Sequence, residues 1–327
     1  MKMLVTLAVA ALTFVTPSSS PEPRAFKLVD RGEPTLLVRH LKGRGPAILF
    51  VHGATFPSAL SVAFRIDGKS WMDDLHRRGF DVWAFDFAGY GGSERDAAFA
   101  NDDPAAKPYG AAEAAERQIS RVVGAIERSA HRRHVLLLAH SWGTIPAGLF
   151  AEHHPDQLAG LVLFGPIMRR GSAPTPTVRG AATLVTAQDQ LDSFSANTPA
   201  HRPDMDLAVY ARWIAAYMAT DPASAIRTPP AVRVPNGPVL DILSARAGSL
   251  PYDPGKIRVP TMIVRGDRDA VTTSDDLANL ARALTSVPGG PEVATLPGGG
   301  HRMQLEHSRA TLFEAVGRFF ASLGHQS

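Results

Sequence analysis

The sequence predicts an α/β fold: a mostly parallel central sheet flanked by helices, with a largely helical segment inserted late in the chain. Three observations carry this. Unbroken apolar runs of strand length alternate with helical patterns from residue 47 to residue 166. The alternation stops between residues 167 and 258, a proline-rich stretch (Pro174, Pro176, Pro199, Pro203, Pro222, Pro229, Pro230, Pro235 and Pro238 among them), and then resumes. The polar, glycine-bearing stretches fall at the ends of the apolar runs, which is where such sheets bind their ligands.

In chain order, Met3 to Val15 is an apolar run behind a single Lys2, followed by small polar residues. It is too short to span a bilayer and sits where the apolar core of an export signal belongs, so residues 1–20 are expected to be a signal peptide, with an uncleaved anchor as the alternative. Ala25 to Val29 and Thr35 to His40 read as short strands around an Arg-Gly-Glu-Pro turn. Ala47 to Val51 is continuously apolar, as expected of a strand covered on both faces, and runs into His52-Gly53-Ala54-Thr55. A helix from Ser70 to Arg78 leads to a strand, Asp81 to Phe85, and a glycine-rich turn, Asp86 to Ser93. No Gly-Lys-Ser/Thr follows that turn and its spacing fits neither phosphate-binding fingerprint, so it reads as structural.

From Tyr109 to Ala130 the positions Ala112, Ala115, Ile119, Val122, Val123 and Ile126 recur at helical spacing. The stretch VLLLAHSWGT, Val135 to Thr144, then joins an apolar strand to an apolar helix through a serine between small residues. A strained strand-to-helix turn with an exposed serine at its tip needs such neighbours. A plain helix cap at Ser141 is the alternative reading. Leu158 to Phe164 is the next strand.

Within the inserted segment, Met205 to Ala219 reads as a helix whose stripe (Leu207, Tyr210, Trp213, Ile214, Tyr217, Met218) either packs inward or walls an apolar pocket. The sheet resumes with Pro260 to Val264, a helix from Asp275 to Leu284, the strand Glu292 to Leu296, and a closing helix from Leu305 to Leu323.

The elbow at Ser141, with Ala139 where a glycine is commoner, resembles the nucleophile elbow of the α/β-hydrolase superfamily. The likeness extends over residues 25 to 322, through the His52-Gly53 pair, the strand alternation, the place of the insertion and the order Ser141, Asp269, His301. It implies a core of residues 21–166 and 259–327, and a cap of residues 167–258. It also implies a catalytic triad: Ser141 as nucleophile, His301 as base and Asp269 as the acid that orients it, with Asp267 in the same loop as the alternative acid. The family's oxyanion donors are backbone amides, here Ala54 and Trp142. Thr55 and His140 beside them, with Trp213 and Tyr217 of the stripe, are the candidate substrate contacts.

A serine alcohol needs a base to take its proton as it attacks, and the base needs a carboxylate to fix its tautomer. The implied activity is acyl transfer from a small-molecule carboxylic ester or lactone to water. The alternatives are an aminopeptidase or amidase, a carbon–carbon bond hydrolase, or a hydrolase-like binding protein with little turnover. A serine in the elbow argues against the dehalogenase and epoxide hydrolase branches, which place aspartate there. No cofactor and no metal is implied, since neither HExxH nor a dinucleotide fingerprint is present.

Composition narrows the rest. The 327 residues are 45% hydrophobic, enough for a large core, and the net charge of +3 comes from basic pairs scattered along the chain, a pattern that argues against nucleic acid. With no cysteine, disulfides, thiolate metal sites and a thiol nucleophile are excluded. The expected location is periplasmic or secreted, with no stable membrane insertion once the signal is cleaved; the sequence leaves the oligomeric state open.

Overall fold

A computed structural model describes residues 21–323 apart from 131–133, 172–173, 175–176, 197 and 199–200. The expected export segment lies outside the described residues. Strands β1 (Arg24–Leu28) and β2 (Leu36–Leu41) form an antiparallel edge. They lead into β3 (Ala47–Val51), helix α1 (Trp71–Arg77), β4 (Asp81–Asp86), α2 (Ala112–Ala130), β5 (Val135–His140), α3 (Thr144–His153) and β6 (Leu158–Phe164). The inserted segment holds β7 (Ala182–Thr186), α4 (Ala187–Ser195), α5 (Leu207–Met218), β8 (Ala231–Pro235) and α6 (Gly237–Arg246). The chain then completes the sheet with β9 (Thr261–Gly266), α7 (Ser274–Ala283), β10 (Glu292–Leu296) and α8 (Arg309–Leu323). No described helix is long and apolar enough to cross a membrane.

The main sheet runs β1-β2-β4-β3-β5-β6-β9-β10. The six strands from β4 to β10 are parallel, and only β1 and β2 run against their neighbours. This is the helix-flanked, mostly parallel sheet that the alternation predicts, and it agrees with the fold that the resemblance implies. The strands are apolar without a break because both faces are covered. Leu49, Leu137, Leu161 and Ile263 point into one core with α2 and α3, while Phe50, Leu138, Val162 and Met262 point into the other with α1 and α8. The stripe of α2 fits the same logic: all six of its predicted apolar positions are buried.

Local chemistry sets the helix starts. Ser70 and Asp73 form a reciprocal capping box on α1, and Thr273 and Asp276 do the same on α7. The helix expected from Tyr109 begins three residues later, because Tyr109 is bonded on both sides, its N–H to the Ala181 carbonyl and its carbonyl from the Gly237 N–H. The closing helix also starts late. Met303–Leu305 form a single 3-10 turn and Glu306 is extended, its carboxylate turned back to the amides of Gly300 and Arg302. The inserted segment adds a short antiparallel ribbon, β7 with β8, that the sequence reading lacks. Its strands are five residues each and β8 follows Pro229-Pro230, so neither periodicity nor propensity marks them.

The end of β9 meets the loop after β10 at two glycines. A Cβ on Gly266 would lie 2.1 Å from the Gly299 carbonyl oxygen, a backbone atom with no freedom to yield. Gly266→Ala should therefore cost about 1–3 kcal/mol of stability by overpacking, read as a lower urea midpoint.

Candidate active site

β5 is buried along its whole length and delivers Ser141 at its carboxyl end. There the backbone turns left-handed, with φ of 56° at Ser141, before α3 begins. A non-glycine residue pays for that conformation, and such strain concentrates where a side chain must be presented. The turn is tight because Gly143 lies against β3: a Cβ there would sit 2.4 Å from the His52 carbonyl oxygen.

His301 and Asp269 reach Ser141 from the loops after β10 and β9. The Ser141 hydroxyl lies 2.8 Å from His301 Nε2, and His301 Nδ1 lies 2.8 Å from Asp269 Oδ2. Burial works to raise the Asp269 carboxyl, but the His301 ring and the amides of Thr272 and Val271 outweigh it and hold the group below its ordinary value. The ionised carboxylate only accepts, so Nδ1 carries the ring proton and Nε2 accepts from the serine. Asp267 is exposed and its amide bonds the Leu296 carbonyl; the structure brings Asp269, not Asp267, to the histidine.

The loop after β3 passes against the elbow, since a Cβ on Gly53 would fall 2.9 Å from the Ser141 Cβ. Ala54 and Thr55 in this loop are half-buried, and Thr55 is left-handed, with φ of 74°. His52 is fully buried and neutral in its bonding: Nε2 accepts from the Phe87 N–H at 3.0 Å and Nδ1 donates to the Gly53 carbonyl at 2.7 Å. Burial pushes its pKa down to about 4, against the pull of Asp86. Asp86 in turn accepts from the Ser58 and Gly92 amides, tying this loop to the glycine-rich turn.

Three of the expected substrate contacts are corrected. His140 is buried behind Ser141; its Nε2 donates to the His301 carbonyl at 2.8 Å and its ring stacks on Phe164, so it supports the histidine loop. Burial, with the His301 ring beside it, lowers its pKa to about 3. Trp213 and Tyr217 have no exposed surface. They stack on each other with Trp213 edge-on to Phe56, and the Trp213 indole donates to the Leu60 carbonyl at 2.9 Å. Tyr210, Trp213 and Tyr217 of the stripe pack inward and anchor the inserted segment, whereas Leu207 is exposed; the pocket-wall reading does not hold for Trp213 and Tyr217.

Several supporting residues escaped sequence reasoning. Arg265 holds the acid loop through the Thr272 and Asp269 carbonyls at 2.8 and 2.9 Å. Glu306 accepts from the Gly300 amide at 2.5 Å and so fixes the histidine loop. Gly165, with φ of 56°, leaves room beside the pair: a Cβ there would lie 3.1 Å from the His301 ring and 3.4 Å from the Asp269 carboxylate. Only their charges, Arg265 at the end of β9 and Glu306 just after His301, could have pointed to the first two.

A cavity of about 140 Å³ between the inserted segment and the histidine loop reaches His301 and is bordered by Phe194, Val271 and Arg302. A larger concavity of about 850 Å³ lies between α1 and α8 and touches none of the triad residues. The larger concavity is thus remote from the hydrogen-bonded Ser141–His301–Asp269 group. Among the described residues, no group of three or more histidine or carboxylate side chains is gathered so as to hold a metal ion.

The profile described as the alpha/beta hydrolase family matches residues 48–315. Among curated proteins no sequence match was found. Solved structures share the fold at low identity. A serine hydrolase involved in carbazole degradation is 18% identical with a TM-score of 0.64, covering 92% of this chain and 99% of that one. An epoxide hydrolase from Vigna radiata is 16% identical with a TM-score of 0.62 at the same coverage. A membrane phospholipase A described as a bacterial virulence factor is 17% identical with a TM-score of 0.61, covering 92% of this chain and 86% of that one.

The two carboxylates of the acid loop separate cleanly by experiment. Asp269→Asn should lower kcat by about three to four orders of magnitude, because the ring would then hold the wrong tautomer, whereas Asp267→Asn should leave kcat unchanged. Steady-state kinetics on one ester substrate compares them.

Proposed function

The chain belongs to the alpha/beta hydrolase family, and from that premise we propose that it is a serine hydrolase cleaving a carboxylic ester or lactone through an acyl-enzyme on Ser141. The observation that carries the reading is the continuous path Ser141 hydroxyl, His301 ring, Asp269 carboxylate, each link 2.8 Å long.

In this mechanism the Ser141 oxygen attacks the substrate carbonyl while His301 Nε2 takes its proton. The backbone amides of Trp142 and Ala54 receive the negative charge that develops on the carbonyl oxygen. His301 then gives its proton to the departing alkoxide, which leaves as the alcohol, or stays tethered when the substrate is a lactone. Water enters, loses a proton to the same nitrogen and attacks the acyl carbon; the acid leaves and the proton returns to Ser141. Asp269 stays ionised throughout and stabilises the imidazolium. Residues 167–258 act as the cap over this site, and Thr55 borders the bound carbonyl.

The epoxide hydrolase likeness concerns the fold alone, and a serine at the elbow favours acyl chemistry over epoxide opening. Residues 1–20 support export, with hydrolysis taking place in the periplasm or outside the cell. A panel of short p-nitrophenyl esters and lactones tests the reading: turnover of at least one class is expected, abolished in Ser141→Ala. Undiminished turnover in that variant would refute the assigned nucleophile.

A further inference from the structure

One contact between the inserted segment and the elbow stands apart from the rest. The indole N–H of Trp142, the residue after the nucleophile, donates to Asp241 Oδ2 at 2.8 Å. Trp142 is 1% exposed, and its ring meets Phe87 edge-on at 5.2 Å. Its single polar atom therefore has one partner, and that partner comes from α6. Building on the serine-hydrolase reading, we propose that Asp241 is a positioning residue that sets the oxyanion donor by holding the Trp142 side chain.

The coupling runs through rigid parts. A tryptophan has only two side-chain torsions, so fixing its indole restrains its own backbone amide, which the reaction uses as an oxyanion donor. The next residue, Gly143, is wedged against the His52 carbonyl and leaves the turn little freedom to compensate. At the other end, α6 is itself anchored. The Gly237 amide donates to the Tyr109 carbonyl at 2.7 Å, and a Cβ on Gly237 would strike the backbone of residues 109–111 at 2.2–2.5 Å. Asp241 therefore stands one helical turn from a fixed point on the core, and the inserted segment takes part in building the catalytic turn.

Burial pushes the Asp241 carboxyl up to about 7, against the pull of the Trp142 bond. A carboxyl oxygen accepts from the indole whether or not the group carries a proton, so an asparagine can take its place.

The test compares Asp241→Ala, Asp241→Asn, Trp142→Phe and the Asp241→Ala/Trp142→Phe double variant. It reads the rate of fluorophosphonate labelling together with kcat and KM for one ester. Asp241→Ala is expected to slow labelling and lower kcat about tenfold to a hundredfold, the scale of a displaced catalytic group, with KM little moved. Asp241→Asn should restore most of that rate. Trp142→Phe should lose most of what Asp241→Ala loses, and the double variant no more than Asp241→Ala, because Asp241→Ala removes the Trp142 bond together with the carboxylate's bond to the Ala112 amide. A loss confined to KM, independent losses in the double variant, or labelling of Asp241→Ala at the wild-type rate would overturn the proposal alone. Wild-type protein inert to the reagent would overturn the serine-hydrolase reading, and the proposal with it.

Discussion

Everything in the site depends on how closely the ends of β3 and β5 approach each other. Ser141 turns left-handed at the tip of β5, Gly143 presses on the His52 carbonyl, and Gly53 passes beneath the Ser141 Cβ. A side chain at 53 or 143 would push Ser141 away from the loop that completes its surroundings. The strain at Ser141, on the order of 1–3 kcal/mol, is held by a strand paired on both edges and fully buried. Precision at the serine is thus a property of the sheet centre, which cannot relax without breaking ladders on either side.

The other two triad members arrive on loops, and loops need fastening. Glu306 closes the histidine loop, Arg265 closes the acid loop, and the Gly266–Gly299 contact joins the two strand ends from which they spring. Charge is managed as carefully as position. His140 lies 5.2 Å from His301, ring to ring, yet burial lowers its pKa to about 3, so it would not oppose the positive charge that the proposed mechanism places on His301. His52 is kept neutral in the same way beneath the neighbouring loop. The carboxylate of Asp269 is left to face one imidazole, that of His301.

Much of this was legible in the sequence, for physical reasons. Strands covered on both faces must be apolar throughout, so β3, β5 and β6 announce themselves. The small residues around Ser141 and the glycines before His301 mark backbone that has to approach other backbone. What escaped notice depends on long-range partners. A carboxylate such as Glu306 reads as an ordinary charged residue until its target amide is known, and the ribbon β7–β8 has too little periodicity to show. His140 was misjudged because neighbours in sequence at a strand end point to opposite faces: Ser141 faces the site, and His140 turns beneath it. Trp213 and Tyr217 were ambiguous because an apolar stripe looks the same whether it meets a ligand or a neighbouring helix.

The central claim is that one serine is made reactive by the imidazole it touches. Treating the protein with a fluorophosphonate and mapping the modified peptide by mass spectrometry tests this most directly. The account predicts a single adduct on Ser141 that vanishes in His301→Ala although the serine is still present. An adduct on another residue, or undiminished labelling of Ser141 without His301, would contradict it.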